Sequence, residues 1–483
     1  MPGHRQETLR PSAPPALPNA APAPAPAECF PVRIGHIPGR GRGFFATRDI
    51  APGETVFRAA PLAWAVSEDW ARNTCWWCFA HDSRRALPLK AAASSGPAGS
   101  AQHRVVFCSA MCAQSALYAH GGEERWAGYL HLLHTIETKI AAHKAGVARP
   151  PARRGHSTKA AVAASTADVE PAPPALAPFA AADFVPGEVS DAQLAEWISN
   201  VWDVIVAHQG RAAETPDSAQ RELVRVIATE LFLHGATPVH GSMSNCTADS
   251  PDWTERVVSL VAAEGGVAPP FALEHLRSSE IDHVRTRLRE LQPAAPQRVP
   301  LNPTAAQVEG SWWGGAFRTA ASSYALLHSA WQQTARTHAI GNLTHGRFRA
   351  VYFREMANSF GIYDPPATLH SLSPEGLGTR AVYQELEQEY LGSSIYPTAV
   401  YFNHSCCPNI AKTRVGRSMW FVSAVDISKG EELFISYGNI TDPVAERRAR
   451  LKEHFFFGCC CTRCARESVM ATPDAAEPVS EEA

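Results

Sequence analysis

Ten cysteines gathered in three short clusters are arranged as metal ligands would be. Cys459-x-Cys461-x-x-Cys464 places three thiols within six residues, and a thiolate-bound zinc ion asks for four donors in a tetrahedron. The fourth donor is expected from Cys406 in Asn403-His404-Ser405-Cys406-Cys407-Pro408-Asn409, with the adjacent Cys407 as the alternative. Cys460 should be spare, because in an extended run its side chain points away from those of its neighbours. Cys75-x-x-Cys78 and Cys108-x-x-x-Cys112 make a second set of four, joined through a soft Ala/Ser/Gly stretch at 91–101. Each pair can sit on its own knuckle, and together they can close a second zinc site. His120, with seven residues between it and Cys112, reads as a surface or helix-start residue rather than a ligand. The first residues lack the basic-then-apolar order of an export signal. A reducing compartment is therefore expected, where close-spaced thiols bind metal more often than they pair.

The chain around these groups reads as α+β. Gly43 to Arg48 and Thr55 to Ala59 are strand candidates around a Pro52-Gly53-Glu54 turn. Trp126, Leu130, Leu133, Ile136 and Ile140 recur at helical spacing between Glu123 and His143. Ser190 with Gln193 is a capping-box pattern opening another helix, and a further helix is expected from Ser218 to His234. The last third returns to strand and turn signals. Asp49-Ile50-Ala51-Pro52-Gly53-Glu54 and Asp426-Ile427-Ser428-Lys429-Gly430-Glu431 share D-I-x-x-G-E, which predicts two similar hairpins in one β-rich domain whose middle is filled by insertions. Residues 11–27, 14 of them Pro or Ala, belong to a disordered tail over 1–29, as does the acidic end from 468 to 483. The Ala/Pro-rich stretch 145–187 is expected to be an unstructured linker.

Composition narrows the classes. Apolar residues make up 45% of the 483, enough for a substantial core. Lys plus Arg is 44 against 47 for Asp plus Glu, so the charge balance gives no general reason to bind nucleic acid by counterion release. No run of about 18 apolar residues suggests a membrane span. The cluster Arg447, Arg448, Arg450 and Lys452 reads as a solvated helix face, and the pairs Trp76-Trp77 and Trp312-Trp313 as core anchors.

The order of Gly41-Arg42-Gly43, an inserted cysteine finger, NHSCCPN, EELFISYG and a closing CxCxxC resembles the SET-domain protein lysine methyltransferases. The finger makes the chain similar to the SET-and-MYND branch. A full MYND finger carries two interleaved zinc sites; here the second C-x-x-C is missing and Glu124 stands where the last cysteine would be. The resemblance therefore implies one surviving finger site, Cys75/Cys78/Cys108/Cys112, and a second zinc at Cys406/Cys459/Cys461/Cys464. It implies a SET-type β-rich core over 30–70 and 346–440, a MYND-like finger over 71–124 and a mostly helical insertion over 125–345. A post-SET zinc segment over 441–467 would close the core.

The same resemblance implies S-adenosylmethionine as methyl donor. Gly41 and Gly43 match the turn where backbone approaches the donor, flanked by Arg40 and Arg42, either of which could meet its carboxylate. Asn403, His404 and Asn358 match donor contacts, and Phe457 matches an aromatic that packs on the adenine. Tyr437 matches the catalytic tyrosine, also against the donor. The chemistry suits it: an in-line methyl transfer needs alignment and a dry channel around a neutral amine, which a hydroxyl and carbonyls can supply without adding charge. Tyr396 and Phe455 fit channel walls or core equally. The implied partner is a histone or non-histone protein lysine, with no sequence-specific nucleic acid and no membrane, in a monomer of cytoplasm and nucleus. The alternative is a catalytically silent adaptor that binds proteins or chromatin.

Overall fold

The computed structural model describes residues 30–38, 40–91, 105–147, 184–185, 189–208, 216–233, 279–291, 298–364 and 388–470. The tail over 1–29 lies outside these residues, as do Cys29, Cys246 and most of the 145–187 linker. Both remaining ends differ from expectation. The helix begun at Glu123 runs to Val147, and the backbone of Phe184 exchanges hydrogen bonds with Val299 at 2.8 and 3.1 Å. The tail expected from 468 opens inside the helix Thr462–Met470.

The strands form small sheets, two of which join strands from opposite ends of the chain. β1 (Val32–Ile37) pairs antiparallel with β2 (Gly41–Ala46), while β3 (Thr55–Ala59) lies beside β11 (Ser418–Ser423), which also pairs with β10 (Ile410–Val415). β4 (Ala63–Val66) and β7 (Ser359–Tyr363) flank β8 (Tyr390–Ile395). β5 (Leu89–Lys90) pairs with β6 (Val106–Phe107), and β9 (Asn403–His404) runs parallel to β12 (Phe434–Ile435). Between β3/β11 and the 401–402 segment sits a core of aromatic rings. Phe402 stacks on Phe421 at 4.4 Å, and Phe44 meets Phe402 and Phe57 at 4.8 and 5.2 Å. Each such buried ring contributes roughly 1.5–3 kcal/mol. Tyr396 belongs to this core, fully buried with its hydroxyl donating to the Arg417 carbonyl at 3.2 Å.

The repeated D-I-x-x-G-E turns are not hairpins. Their flanking strands find partners elsewhere: β2 pairs with β1, and β3 with β11. The two turns instead pair directly: Ile50 and Ile427 exchange backbone hydrogen bonds of 2.9 and 3.0 Å, and Lys429 N donates to Asp49 Oδ1 at 2.8 Å. Gly53 and Gly430, at φ of +84° and +86°, hold the matching left-handed positions.

The helices Glu123–Val147, Asp191–Ala207, Ser218–Leu233, Arg318–Thr334 and His345–Asn358 share a second core with the finger. Ser190 and Gln193 make the expected capping box. Trp76 and Trp313 are buried as anchors. His120, expected near the surface, is buried among Trp64, Trp76, Trp77 and Trp126, its ring stacked 6.0 Å from that of Trp126. The tryptophans claim it for packing.

Candidate active site

The two cysteine sets come together as expected. In each, the four sulfurs lie within 4.8 Å of one another. Adjacent sulfurs are 3.6 Å apart for Cys78–Cys108 and 3.5 Å for Cys108–Cys112. In the second set Cys406 lies 3.9 Å from Cys459 and 3.5 Å from Cys464. A zinc tetrahedron with sulfur bonds of about 2.3 Å has edges of about 3.8 Å, so both sets fit that ion. All eight thiols are free, and Cys407 and Cys460 are exposed outside the clusters.

Arg447 serves the second set. Its guanidinium is buried and donates to Cys406 Sγ at 3.3 Å, Cys464 Sγ at 3.5 Å and Glu467 at 2.7 Å. This corrects the solvated face expected for 447–452. Arg447 and Leu451, one turn apart in the helix Val444–Phe455, form its buried stripe. Arg448 donates to the Cys459 carbonyl at 3.0 Å, and Arg450 to Asp442 at 2.5 Å.

From Cys406 a chain of contacts leads to Tyr437. His404 Nδ1 accepts the Tyr437 backbone N–H at 3.1 Å, which leaves the proton of the neutral ring on Nε2, 3.3 Å from Cys406 Sγ. Burial and then the charges of Lys412, Arg450 and Arg447 hold His404 down to about 4, so the ring is neutral near pH 7. The Tyr437 hydroxyl donates to the Phe402 carbonyl at 2.8 Å, and burial followed by the Glu432 charge pushes its phenol above the ordinary value. Phe455 and Phe457 flank it at 4.8 and 6.4 Å. Phe456 between them takes φ +62°, a left-handed position that costs a side chain about 1 kcal/mol and turns both neighbours toward the tyrosine.

The Gly41–Gly43 bend closes on the same place. Asn403 Nδ2 donates to the Arg42 carbonyl at 3.1 Å and to Glu432 Oε1 at 2.9 Å. A Cβ on Gly43 would stand 2.7 Å from Asn403 Nδ2 and 2.8 Å from Ile37 Cδ1, so any other residue would have to push these side-chain ends aside; Gly41 turns at φ +83° with open space beside it. Arg40 pairs with Glu432 at 2.8 Å, and Arg42 lies over the Tyr401 ring at 5.3 Å. Asn358, ending its helix, donates to the Arg354 carbonyl at 2.7 Å. It lines a cavity of about 370 Å³ with Phe360, Phe402, Lys412, Tyr437 and Phe455. Tyr396 does not line this cavity; Phe455 does.

Glu432 and Asn409 escaped the sequence reading. Asn409 is buried, donates to the Glu432 carbonyl at 2.9 Å and accepts from Phe434 N at 2.7 Å, tying the start of β10 to β12. Its place six residues after Asn403 in the motif was the available signal. Glu432, the second of two adjacent glutamates, carried none.

The SET domain profile matches residues 41–438. A yeast (Saccharomyces cerevisiae) protein named potential protein lysine methyltransferase SET6 is 38% identical over 125 residues, 25% of this chain and 34% of its own. Human N-lysine methyltransferase SMYD2 is 38% identical over 81 residues, 17% of this chain and 19% of its own. A SET and MYND domain-containing protein of Dictyostelium discoideum is 41% identical over 78 residues, 16% of this chain and 20% of its own. The chain thus matches about a third of the first relative's length and about a fifth of the other two. With the profile running from the glycine bend to the residue after Tyr437, the chain belongs to the SET-domain family and is of the SET-and-MYND type.

Proposed function

We propose that this protein is an S-adenosylmethionine-dependent protein-lysine N-methyltransferase holding two zinc ions. One observation carries the reading: segments more than 350 residues apart supply the glycine bend, Asn403 and Tyr437 to one place, tied by Asn403 to Arg42 O and by His404 to Tyr437 N. The body would comprise 30–70 and 346–440, with the finger over 71–124 and helices over 125–345 as insertions, and 441–467 as closure.

The donor, when bound, supplies the electrophilic methyl group. Arg40, Gly41, Arg42, Gly43, Asn358, Asn403, His404 and Phe457 are the residues that would hold it, and the glycine cradle with its carbonyl and amide donors suits a small zwitterion. Tyr437 stays protonated at neutral pH and offers a hydroxyl without charge. Phe402, Phe455 and Ile435 give the cavity an apolar wall, and an entering amine desolvated against it is favoured in its neutral form. Zinc at Cys406/Cys459/Cys461/Cys464 would fix the segment carrying Phe455 and Phe457 against Tyr437.

The test is donor binding by calorimetry, followed by methyl transfer from radiolabelled donor into whole-cell lysate. Wild type should bind donor and label protein. Asn403→Ala should lose binding. Tyr437→Phe should bind but slow transfer by about 100-fold. Donor binding without any transfer from wild type would replace the enzyme by the adaptor.

A further inference from the structure

We propose that the zinc-loaded finger is the counter-charge of Arg417, so that zinc in the finger fixes the β10–β11 turn leading into the active site. This coupling presupposes the finger zinc proposed above and is indifferent to methyl transfer. Gly416, at φ +59°, takes the left-handed place in the two-residue turn between β10 and β11. Arg417 beside it lies against the finger. Its guanidinium stands 3.5 Å from the ring centre of Trp77, between Cys75 and Cys78 in the chain, and 4.7 Å from that of Trp64. From the same turn β11 runs to Phe421, which stacks on Phe402, the residue whose carbonyl accepts the Tyr437 hydroxyl.

Arg417 is a cation without an anion. Its Nε and Nη1 are shut off from solvent and have no hydrogen-bond partner among the described residues, and no described carboxylate pairs with it. Arg414 on the same hairpin differs, with Asp364 at 3.8 Å and the Tyr363 and Gly416 carbonyls at 2.8 and 2.7 Å. Two indole faces attract a cation but accept no conventional hydrogen bond. The groups able to carry negative charge that act on Arg417 are Tyr396, Cys78 and Cys112. Burial keeps the Tyr396 phenol protonated, which leaves the two finger cysteines. As thiols they are neutral, whereas four thiolates around one Zn²⁺ carry about −2. The attraction is one of charge rather than of N–H···S bonding, and it is strong where burial removes water. Zinc loading thus supplies the missing anion, and by reciprocity the cation holds the metal more tightly.

The experiment uses the full chain as wild type, Arg417→Met, Cys112→Ser and the double variant. Zinc is counted and then drawn off by a chromogenic chelator, and amide hydrogen exchange is followed over the hairpin 410–423. Cys112→Ser lacks a finger ligand and so identifies the finger ion. Arg417→Met should yield that ion about tenfold more readily, the lower end for groups that support metal ligands from behind, and keep the other ion unchanged. Cys112→Ser should speed exchange over 410–423 in the wild-type background and add nothing in the Arg417→Met background. Equal acceleration in both backgrounds, or a finger ion held at wild-type affinity in Arg417→Met, overturns the proposal. Should Arg417→Met fail to fold, Arg417→Gln, also uncharged, carries the same expectations. Exchange that Cys112→Ser does not move in the wild-type background overturns the proposal without either variant. A wild type without finger zinc removes the zinc reading together with the proposal; two zinc ions without coupling remove the proposal alone.

Discussion

Replacing Arg447 with Met should release zinc and loosen the active site together. The side chain is buried against two sulfurs, 3.3 and 3.5 Å away, in a cluster that carries a net charge of about −2 once four thiolates hold one Zn²⁺. A hydrogen bond to a charged group contributes about 1.5–3 kcal/mol, so the two N–H···S contacts sum to about 3–6 kcal/mol before relaxation. Removing one partner of a buried ion pair costs about 3–5 kcal/mol, in the same range. Not all of this falls on the metal, and groups that support metal ligands from behind set affinity by about 10–100-fold. The bridge to the half-buried Glu467 joins two helices and bears on them rather than on the metal. The assay is zinc transfer to a chromogenic chelator, with total metal counted beforehand and donor affinity measured on the same sample. Arg447→Met should yield one of its two zinc ions about 10–100-fold more readily and bind donor more weakly. Arg447→Lys, with a charge but no fork of donors, should fall between. A variant that keeps both ions at wild-type affinity, with unaltered donor binding, would refute the reasoning.

Two further outcomes follow from the geometry. Gly43→Ala places a methyl 2.7 Å from Asn403 Nδ2 and 3.0 Å from Glu432 Oε1, so it should cost about 1–3 kcal/mol in urea unfolding and abolish calorimetric donor binding; a fully stable, binding-competent Gly43→Ala would contradict the close approach. Burial, aided by Arg287, holds His283 down to about 4. Since the unfolded chain takes up the proton that the native ring refuses, stability should be lost as pH falls from about 6.5 toward 4, by about 2–3 kcal/mol. His283→Gln should show a flatter profile over that window, and identical profiles would place the titration elsewhere.

Both four-cysteine sets were legible because thiol ligands arrive in close sequence pairs, and only Cys406 against Cys407 needed the fold to decide; Cys407 is exposed. The residues that brace these groups were not legible. Arg447 sits in a run, Arg-Arg-Ala-Arg-Leu-Lys, whose charge hides the fact that Arg447 shares a helix face with Leu451. Glu432 matters only because Arg40 and Asn403 arrive from elsewhere in the chain to meet it. His120 looked solvent-facing because a lone histidine shows nothing of the four tryptophans that enclose it. The echoed turns were seen, but their mutual pairing is a fact of tertiary contact that hairpin logic could not reach.

That pairing of distant ends has a cost in time. Phe57 opposes Phe421 across β3 and β11, so the strand made early on the ribosome waits for a partner about 360 residues later. At about 5–20 residues per second the wait is roughly 20–70 s, during which Val56 and Phe57, fully covered in the finished sheet, have no strand beside them. Nascent chains are therefore most exposed to chaperones and to aggregation in this interval, and synthesis rate becomes a determinant of yield.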